Sequence, residues 1–350
     1  MPVIHRFARS VRLPAVVALC LFLSGSLSAA PVLEDPLPSW HEGTTKHSIT
    51  AFVDRVTDPQ DPAFVPEDGR IATFDNDGTL WVSHPIYTQF QFAFDRVNAL
   101  AARHPEWKNE QPYKAILEGD REFLAQLTPH DVVDLVMKTH AGTTPQEFER
   151  IVRQWLKTAR HPRYKVPYTE LAYQPMKELL VWLRAKGFKT FIVTGGGIEF
   201  VRAFATETYG IPPWPVVGSS IKSNFELDNG KGRIMRLPEA EFIDDGANKP
   251  VGISSHIGVR PIAAFGNSDG DIEVLQFADS GPGVWLSMLV HHDDPEREYG
   301  YTCKTRVGTL CKGLELAKQR DWVLMSISDR ICPTRSPGMP VCWSGPMNRT

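Results

Sequence analysis

Apolar and polar positions along the chain follow two periods, which predict buried strands alternating with amphipathic helices. Short runs of apolar and β-branched residues predict four strands, at Ile71–Phe74, Phe188–Val193, Pro261–Phe265 and Val284–Val290. Apolar residues three and four apart predict helices in the same regions, at His47–Val56, Pro175–Lys186 and Ile198–Tyr209. This alternation favours an α/β fold with a Rossmann-like parallel sheet.

Residues 83–173 interrupt the alternation, because they show helical spacing and no convincing strand. Four helical stretches are predicted there, at Ile86–Leu100, Pro112–Leu127, Pro129–Thr139 and Pro145–Thr158. We therefore expect an inserted all-helical cap domain at 83–173 and an α/β core made of 31–82 and 174–330. The core also contains a predicted hairpin at Val216–Arg236, and residues 331–350 form a Pro- and Cys-containing tail.

Three of the predicted strands end in polar residues and glycine. Asp75 and Asp77 follow the first strand, Thr194 and Gly195 follow the second, and the stretch GNSDGD at 266–271 follows the third. Because the carboxyl ends of parallel strands meet at one edge of a sheet, we expect these side chains to line one crevice.

Two carboxylates two residues apart at a strand end are typical of phosphoryl transfer. The first can attack phosphorus and form an aspartyl-phosphate, and the second can protonate the leaving alkoxide. A hard cation would offset the charge that keeps two anions apart. The alternative is an Asx-turn, in which Asp75 and Asp77 only accept loop N–H groups. A calcium loop is excluded, because Thr79 and Ile86 occupy its fifth and twelfth positions.

The polar strand ends, together with Lys249 at the start of a predicted helix, resemble the haloacid dehalogenase-like (HAD) superfamily of hydrolases over roughly residues 70–325. The matching motifs are FDNDGTL at 74–80, IVTGG at 192–196, Lys249, and GNSDGD at 266–271. The helical insertion resembles the type-one cap of that superfamily. The hairpin before Lys249 resembles its phosphoserine-phosphatase-like branch.

The resemblance implies a role for each matching residue. Asp75 would be the nucleophile and a Mg²⁺ ligand. Asp77 would be the general acid and base, with its backbone carbonyl on the metal. Thr194 and the N–H of Gly195 would hold the phosphate, and Lys249 would pair with Asp75 and the phosphate oxygens.

The fourth motif would complete the Mg²⁺ shell through Asn267 and Asp271, with Asp269 nearby. This chain departs from the family at the first of these positions, where an aspartate is usual. An amide oxygen can ligate Mg²⁺ but supplies no negative charge. Which of the three residues ligates the metal directly is therefore left open.

Two further groups of polar residues are not assigned to the site. The run His291–Asp294 resembles a metal cluster, but neighbouring positions on a strand point to opposite faces, so we expect a loop at the mouth of the sheet. His84 could reach a substrate, although a turn residue before Pro85 is the simpler interpretation.

The first thirty residues have the pattern of a secretory signal. Three arginines precede an apolar run from Leu13 to Leu23, and small residues follow up to Ala30. Removing residues 1–30 removes these three arginines and no acid, so the formal charge changes from −3 to −6. A mildly acidic chain argues against a nucleic-acid partner. We expect a periplasmic or secreted protein with no membrane attachment after signal cleavage.

Four cysteines remain after the predicted signal, and all lie in the last 48 residues: Cys303, Cys311, Cys332 and Cys342. An even number in an exported chain predicts two disulfides, for which three pairings are possible. A zinc site is the weaker alternative, because no CxxC pair is present.

These observations predict an exported, Mg²⁺-dependent phosphomonoester hydrolase that acts on small phosphorylated metabolites. Asp77 favours this reaction over dehalogenation, because the resemblance implies that dehalogenases lack an acid at that position and an alkoxide needs a proton to leave. The alternatives are phosphate transfer to an alcohol and binding of a phosphorylated ligand without turnover. The sequence fixes neither the substrate nor the oligomeric state.

Overall fold

The computed structural model of this protein describes residues 35–328. The predicted signal at 1–30, the tail at 331–350, and Cys332 and Cys342 lie outside the described residues. Between residues 35 and 328, none of the helices has the length and apolar character needed to cross a bilayer.

Seven strands form one sheet in the order β4-β3-β2-β1-β5-β6-β7. Their bounds are β1 Ile71–Phe74, β2 Lys189–Gly197, β3 Val216–Asp228, β4 Lys231–Phe242, β5 Ala263–Gly266, β6 Leu286–His291 and β7 Val323–Ser326. All neighbours are parallel except β3 and β4, which form the predicted antiparallel hairpin. The predicted Rossmann-like parallel sheet is confirmed.

Strand β1 lies at the centre of the sheet and is buried along its whole length. Its last residue, Phe74, pairs with Ile192 of β2 on one side and with Phe265 of β5 on the other. The strand order therefore reverses at β1, which is where open α/β sheets form a crevice beyond their carboxyl ends. This register brings the carboxyl ends of β1, β2 and β5, with the residues that follow β1 and β5, to the same edge.

Six helices accompany the sheet: α1 Thr44–Thr57, α7 Gln174–Ala185, α8 Ile198–Tyr209, α9 Asn248–His256, α10 Ile272–Asp279 and α11 Lys312–Gln319. The chain before α1 also belongs to the core, because Leu37 and Trp40 are buried. The Trp40 indole N–H donates to the Pro175 carbonyl at 3.0 Å. The chain is therefore part of the main hydrophobic core from Leu37 onward.

The insertion at 83–173 is helical, and no strand of the sheet comes from this described stretch. It contains α2 Thr88–Leu100, α3 Tyr113–Glu118, α4 Arg121–Leu124, α5 Pro129–His140 and α6 Pro145–Thr158. The single helix predicted at Pro112–Leu127 is wrong, because Gly119 ends α3 in a left-handed conformation and Asp120 caps α4.

The insertion packs partly on itself and partly on the α/β core. Trp107 and Tyr113 lie in a buried cluster made mainly by the insertion. On α6, by contrast, Phe148 and Val152 are buried in the main hydrophobic core, which also contains Phe204 of α8. Helix α6 therefore anchors the insertion to the sheet.

Candidate active site

Asp75 follows the central strand β1 and is joined to Lys249 at the start of α9. The Lys249 ammonium donates to Asp75 Oδ1 at 2.8 Å and to Asp271 Oδ1 at 2.6 Å, and all three side chains are buried. Burial raises the pKa of Asp75, and the Lys249 ammonium opposes that rise. Although burial alone would lower the pKa of Lys249, the two carboxylates raise it, so the ammonium stays charged.

Asp271 uses its second oxygen to hold its own loop. Asp271 Oδ2 accepts the backbone N–H groups of Asn267 at 2.9 Å and Ser268 at 3.0 Å, together with the Ser268 hydroxyl. Both carboxylate oxygens are thus occupied within the protein. This geometry favours a role for Asp271 in orienting Lys249. It disfavours Asp271 as a metal ligand.

Asp77 lies two residues beyond Asp75, and one of its oxygens is held by a tryptophan. The Trp81 indole N–H donates to Asp77 Oδ1 at 2.9 Å. Burial raises the pKa of Asp77 to about 6. A carboxyl group with such a pKa can carry a proton near neutral pH. Because Trp81 supplies a donor to Oδ1, the proton belongs on Oδ2.

Asn267 brings an amide group to Asp75 and to the backbone of Asp77. One terminal amide atom lies 3.0 Å from the Asp77 carbonyl oxygen, 3.3 Å from Asp75 Oδ2 and 2.9 Å from Thr79 Oγ1. If that atom is the nitrogen, it donates to these oxygens. If that atom is instead the amide oxygen, it lies beside the Asp77 carbonyl oxygen and Asp75 Oδ2. Oxygen atoms of these kinds are the ligands that Mg²⁺ prefers. The residues therefore fit a hard cation.

Thr194 ends the buried part of β2, where the phosphate site was predicted. Its hydroxyl accepts the backbone N–H of Gly196 at 3.1 Å, which leaves its own hydrogen free to donate. A Cβ on Gly196 would lie 3.3 Å from Thr194 Oγ1 and 3.7 Å from Asp77 Oδ2, so the two predicted groups meet here. Gly195 follows Thr194 on the same strand.

Gln89 from the insertion reaches this loop, a contact that no sequence pattern predicts. Its amide oxygen accepts the backbone N–H of Gly197 at 2.7 Å, and its amide nitrogen lies 3.3 Å from His140 Nε2. Burial lowers the pKa of His140 well below its ordinary value, so the imidazole is neutral; because an amide nitrogen only donates, Nε2 is the acceptor. The insertion is therefore in direct contact with the predicted phosphate loop.

Asp269 ties the fourth motif to the chain beyond β6. Its carboxylate accepts the N–H groups of Cys311 at 3.0 Å and Gly313 at 2.9 Å. Cys311 forms a disulfide with Cys303, one of the pairs that the sequence allowed. The zinc alternative is wrong for these two cysteines, because each sulfur is bonded to the other. The nearby Gly308 N–H donates to the Tyr87 hydroxyl of the insertion at 3.2 Å.

The run His291–Asp294 does not form a metal cluster. His291 ends β6 and His292 is buried, so the two neighbouring imidazoles point to different environments. His84 packs against Tyr301 with ring centroids 4.3 Å apart and the rings tilted, and burial lowers its pKa to about 4. Over residues 35–328, no three His, Cys, Asp or Glu side chains gather as a metal site.

Asp244, just before α9, is fully buried, and neither of its oxygens has a hydrogen-bond partner of standard geometry among the described residues. Burial raises its pKa to about 7, and Lys249 and the Thr194 backbone only partly oppose the rise. The folded chain therefore releases this proton near pH 7, whereas the unfolded chain releases it near pH 3.8. The free energy of unfolding falls across this window as pH rises.

Asp244→Asn is expected to stabilise the protein more at pH 8 than at pH 5, because an amide carries no charge to bury. The gain in the free energy of unfolding should differ by about 2 kcal/mol between the two pH values. Denaturant unfolding at both pH values measures it. Asp54→Asn, at an exposed carboxylate on α1, is the matched control. An equal gain at both pH values would contradict the titration of Asp244.

Among the comparisons with known proteins, a family model matches the part of the chain that carries this site. The family model described as haloacid dehalogenase-like hydrolase matches residues 72–276, more than half of the chain and all four motifs. The chain belongs to the haloacid dehalogenase-like hydrolases, and the predicted membership is confirmed. No curated protein matches the chain in sequence.

Solved structures match the chain at low identity. A protein of unknown function from Bordetella pertussis has 16% identity and a TM-score of 0.46, covering 73% of this chain and 97% of its own. A functionally unknown protein from Anaerococcus prevotii has 17% identity and a TM-score of 0.48, with coverages of 71% and 85%. A phosphoserine phosphohydrolase-like protein from Francisella tularensis has 17% identity and a TM-score of 0.39, with coverages of 74% and 96%.

Proposed function

We propose that this protein is a Mg²⁺-dependent phosphomonoester hydrolase that acts through an aspartyl-phosphate. The observation that carries the proposal is the buried ion pair of Asp75 with Lys249. Two residues after Asp75 lies a second carboxyl group, that of Asp77, whose pKa is raised. A nucleophile held beside a permanent cation, with an acid next to it, is the minimum that phosphoryl transfer to a carboxylate requires.

The reaction divides between the two aspartates. A carboxylate oxygen of Asp75 forms the new bond to phosphorus, the ester P–O bond breaks, and Asp77 Oδ2 gives its proton to the departing alkoxide oxygen. Asp77 then takes a proton from water as the water oxygen attacks the same phosphorus, which releases phosphate and restores Asp75. Lys249 and the Thr194 hydroxyl supply positive charge and a donor to the phosphoryl oxygens.

Asp75 Oδ2, the Asp77 carbonyl and the Asn267 amide oxygen would hold the metal. A bound Mg²⁺ would offset the negative charge of carboxylate and phosphate. Because Asn267 is neutral, this site carries one negative charge fewer than a site with aspartate at position 267 would carry. We expect weaker Mg²⁺ binding than an aspartate at position 267 would give.

Export and substrate class belong to the same proposal. The charged and apolar pattern of residues 1–30 and the Cys303–Cys311 disulfide support a periplasmic or secreted location. In such a compartment the substrates would be small phosphomonoesters, with neither nucleic acid nor membrane as partner. Sequencing the N-terminus of the protein from a periplasmic or culture fraction tests the location.

Phosphate release from a panel of phosphorylated metabolites tests the activity. We expect release with Mg²⁺, loss of release after chelation, and recovery when Mg²⁺ is added back. Glycerol added as an acceptor separates hydrolysis from transfer, since transfer would yield glycerol phosphate in place of free phosphate. Binding of a phosphorylated compound with no phosphate released over the whole panel would replace the enzyme with a binding protein.

A further inference from the structure

His292 follows strand β6 and contacts the loop of the first motif. The imidazole is fully buried, and its Nε2 lies 2.7 Å from the carbonyl oxygen of Gly78. A carbonyl oxygen only accepts, so Nε2 carries the hydrogen and donates it. His292 lies beyond the residues that the family model matches.

The other ring nitrogen of His292 faces a buried glutamate. His292 Nδ1 lies 3.5 Å from Glu298 Oε2, and both side chains are fully buried. The Tyr173 hydroxyl donates to Glu298 Oε1 at 2.5 Å, and the Tyr301 ring stacks on the imidazole with centroids 4.0 Å apart. Among the described residues neither Nδ1 nor Oε2 has a hydrogen bond of standard geometry, so this 3.5 Å contact does not compete with Gly78 for the hydrogen on Nε2.

The backbone conformation of Gly78 and both of its backbone hydrogen-bonding groups are constrained by neighbouring residues. Its φ is 88°, which favours glycine, and a Cβ here would lie 2.2 Å from the Asn267 amide nitrogen. Its N–H donates to the Trp81 carbonyl at 2.7 Å, while its own carbonyl accepts from His292. The peptide that carries this N–H also carries the Asp77 carbonyl, which therefore points the opposite way, toward Asn267.

We propose that His292 is a positioning residue for the metal site, acting through Gly78 on the direction of the Asp77 carbonyl. The proposal rests on the Mg²⁺ site of the proposed function. The role assigned to His292 requires no contact with substrate or metal. Its hydrogen bond fixes the peptide between Gly78 and Thr79. The preceding peptide, between Asp77 and Gly78, then keeps its carbonyl oxygen beside Asp75 and Asn267.

Two variants separate the two nitrogens of the ring. In His292→Gln the amide nitrogen replaces Nε2 and can still donate to Gly78. In His292→Asn the shorter side chain places its amide where Nδ1 lies, so it keeps the contact with Glu298 and loses Gly78. We expect His292→Asn to weaken Mg²⁺ binding by about 10–100-fold. The Mg²⁺ affinity of His292→Gln should stay within about 3-fold of the wild-type value.

Calorimetric titration of each folded variant with Mg²⁺ alone, in the absence of substrate, is the measurement. Circular dichroism and thermal unfolding confirm the folded state, and phosphate release at saturating Mg²⁺ gives a second readout. Equal Mg²⁺ affinity for the asparagine and glutamine variants would overturn the proposal. So would a larger loss for glutamine, which would assign the effect to Glu298.

Glu298→Gln keeps the test decisive if a His292 variant does not fold. Its amide can donate to Nδ1 and accept from Tyr173, so His292 Nε2 stays a donor and Mg²⁺ affinity should stay unchanged. A 10-fold loss in this variant would contradict the proposal. A wild type that binds Mg²⁺ but releases no phosphate would overturn the proposed function, while the comparison of Mg²⁺ affinities would still judge His292.

Discussion

Asp75→Asn is expected to lower phosphate release by at least about 10⁴-fold, the scale on which removal of a covalent nucleophile acts in other hydrolases. An amide oxygen is a poor nucleophile toward phosphorus, yet it can still accept the hydrogen bond from Lys249 at 2.8 Å. The variant should therefore fold. The loss should appear in kcat, because the phosphate contacts of Thr194 and Lys249 remain.

Phosphate release under saturating Mg²⁺, together with intact-protein mass spectrometry after acid quenching, tests this expectation. The wild type should show one added phosphoryl group that hydroxylamine removes, and Asp75→Asn should show none. Asp54→Asn removes a carboxylate from the exposed face of α1 and serves as the control. Undiminished phosphate release by Asp75→Asn would show that the nucleophile lies elsewhere.

Asp77→Asn is expected to slow the first step by roughly 10²–10⁴-fold for alkyl esters, the usual contribution of a general acid. The loss should be smaller for aryl esters, because a phenolate leaves without a proton. The single-turnover rate of alcohol release separates this step from the later attack of water, which also uses Asp77. p-Nitrophenyl phosphate and glycerol phosphate are suitable substrates.

The comparison between the two esters decides the role of Asp77. A loss that is the same for both would mean that Asp77 acts only through its backbone carbonyl or through loop structure. Trp81→Phe is an informative companion, because it removes the donor to Asp77 Oδ1 and keeps an aromatic ring against Phe204. It should change the first step far less than Asp77→Asn does.

Site residues at strand ends could be predicted, because the apolar run that marks each strand stops where the polar residues of the site begin. Strand β1, the limits of helix α8 and the residues after β2 and β5 follow from short apolar runs that stop at glycine or aspartate. The ion pair of Lys249 with Asp75 was implied by the resemblance, and the structure brings the two side chains within hydrogen-bond distance.

The supporting residues could not be predicted, because their partners are distant in sequence. Gln89 meets Gly197 across 108 positions, and His292 meets Gly78 across 214. Neither contact leaves a periodic or compositional trace, since each depends on how separate elements pack. Burial of Asp244 is hidden for the same reason. The break at Gly119, by contrast, was visible as a glycine followed by a capping aspartate.

The indole of Trp81 has a consequence for how substrates could diversify. Since it reserves one oxygen of Asp77, the departing alcohol must approach from the opposite oxygen, next to Gly196 and Gln89. Gln89 of the insertion lies on that side, whereas the residues proposed to break the bond belong to the α/β core. Relatives could therefore exchange one alcohol for another by changing the insertion alone, with the chemistry of the sheet edge left as it is.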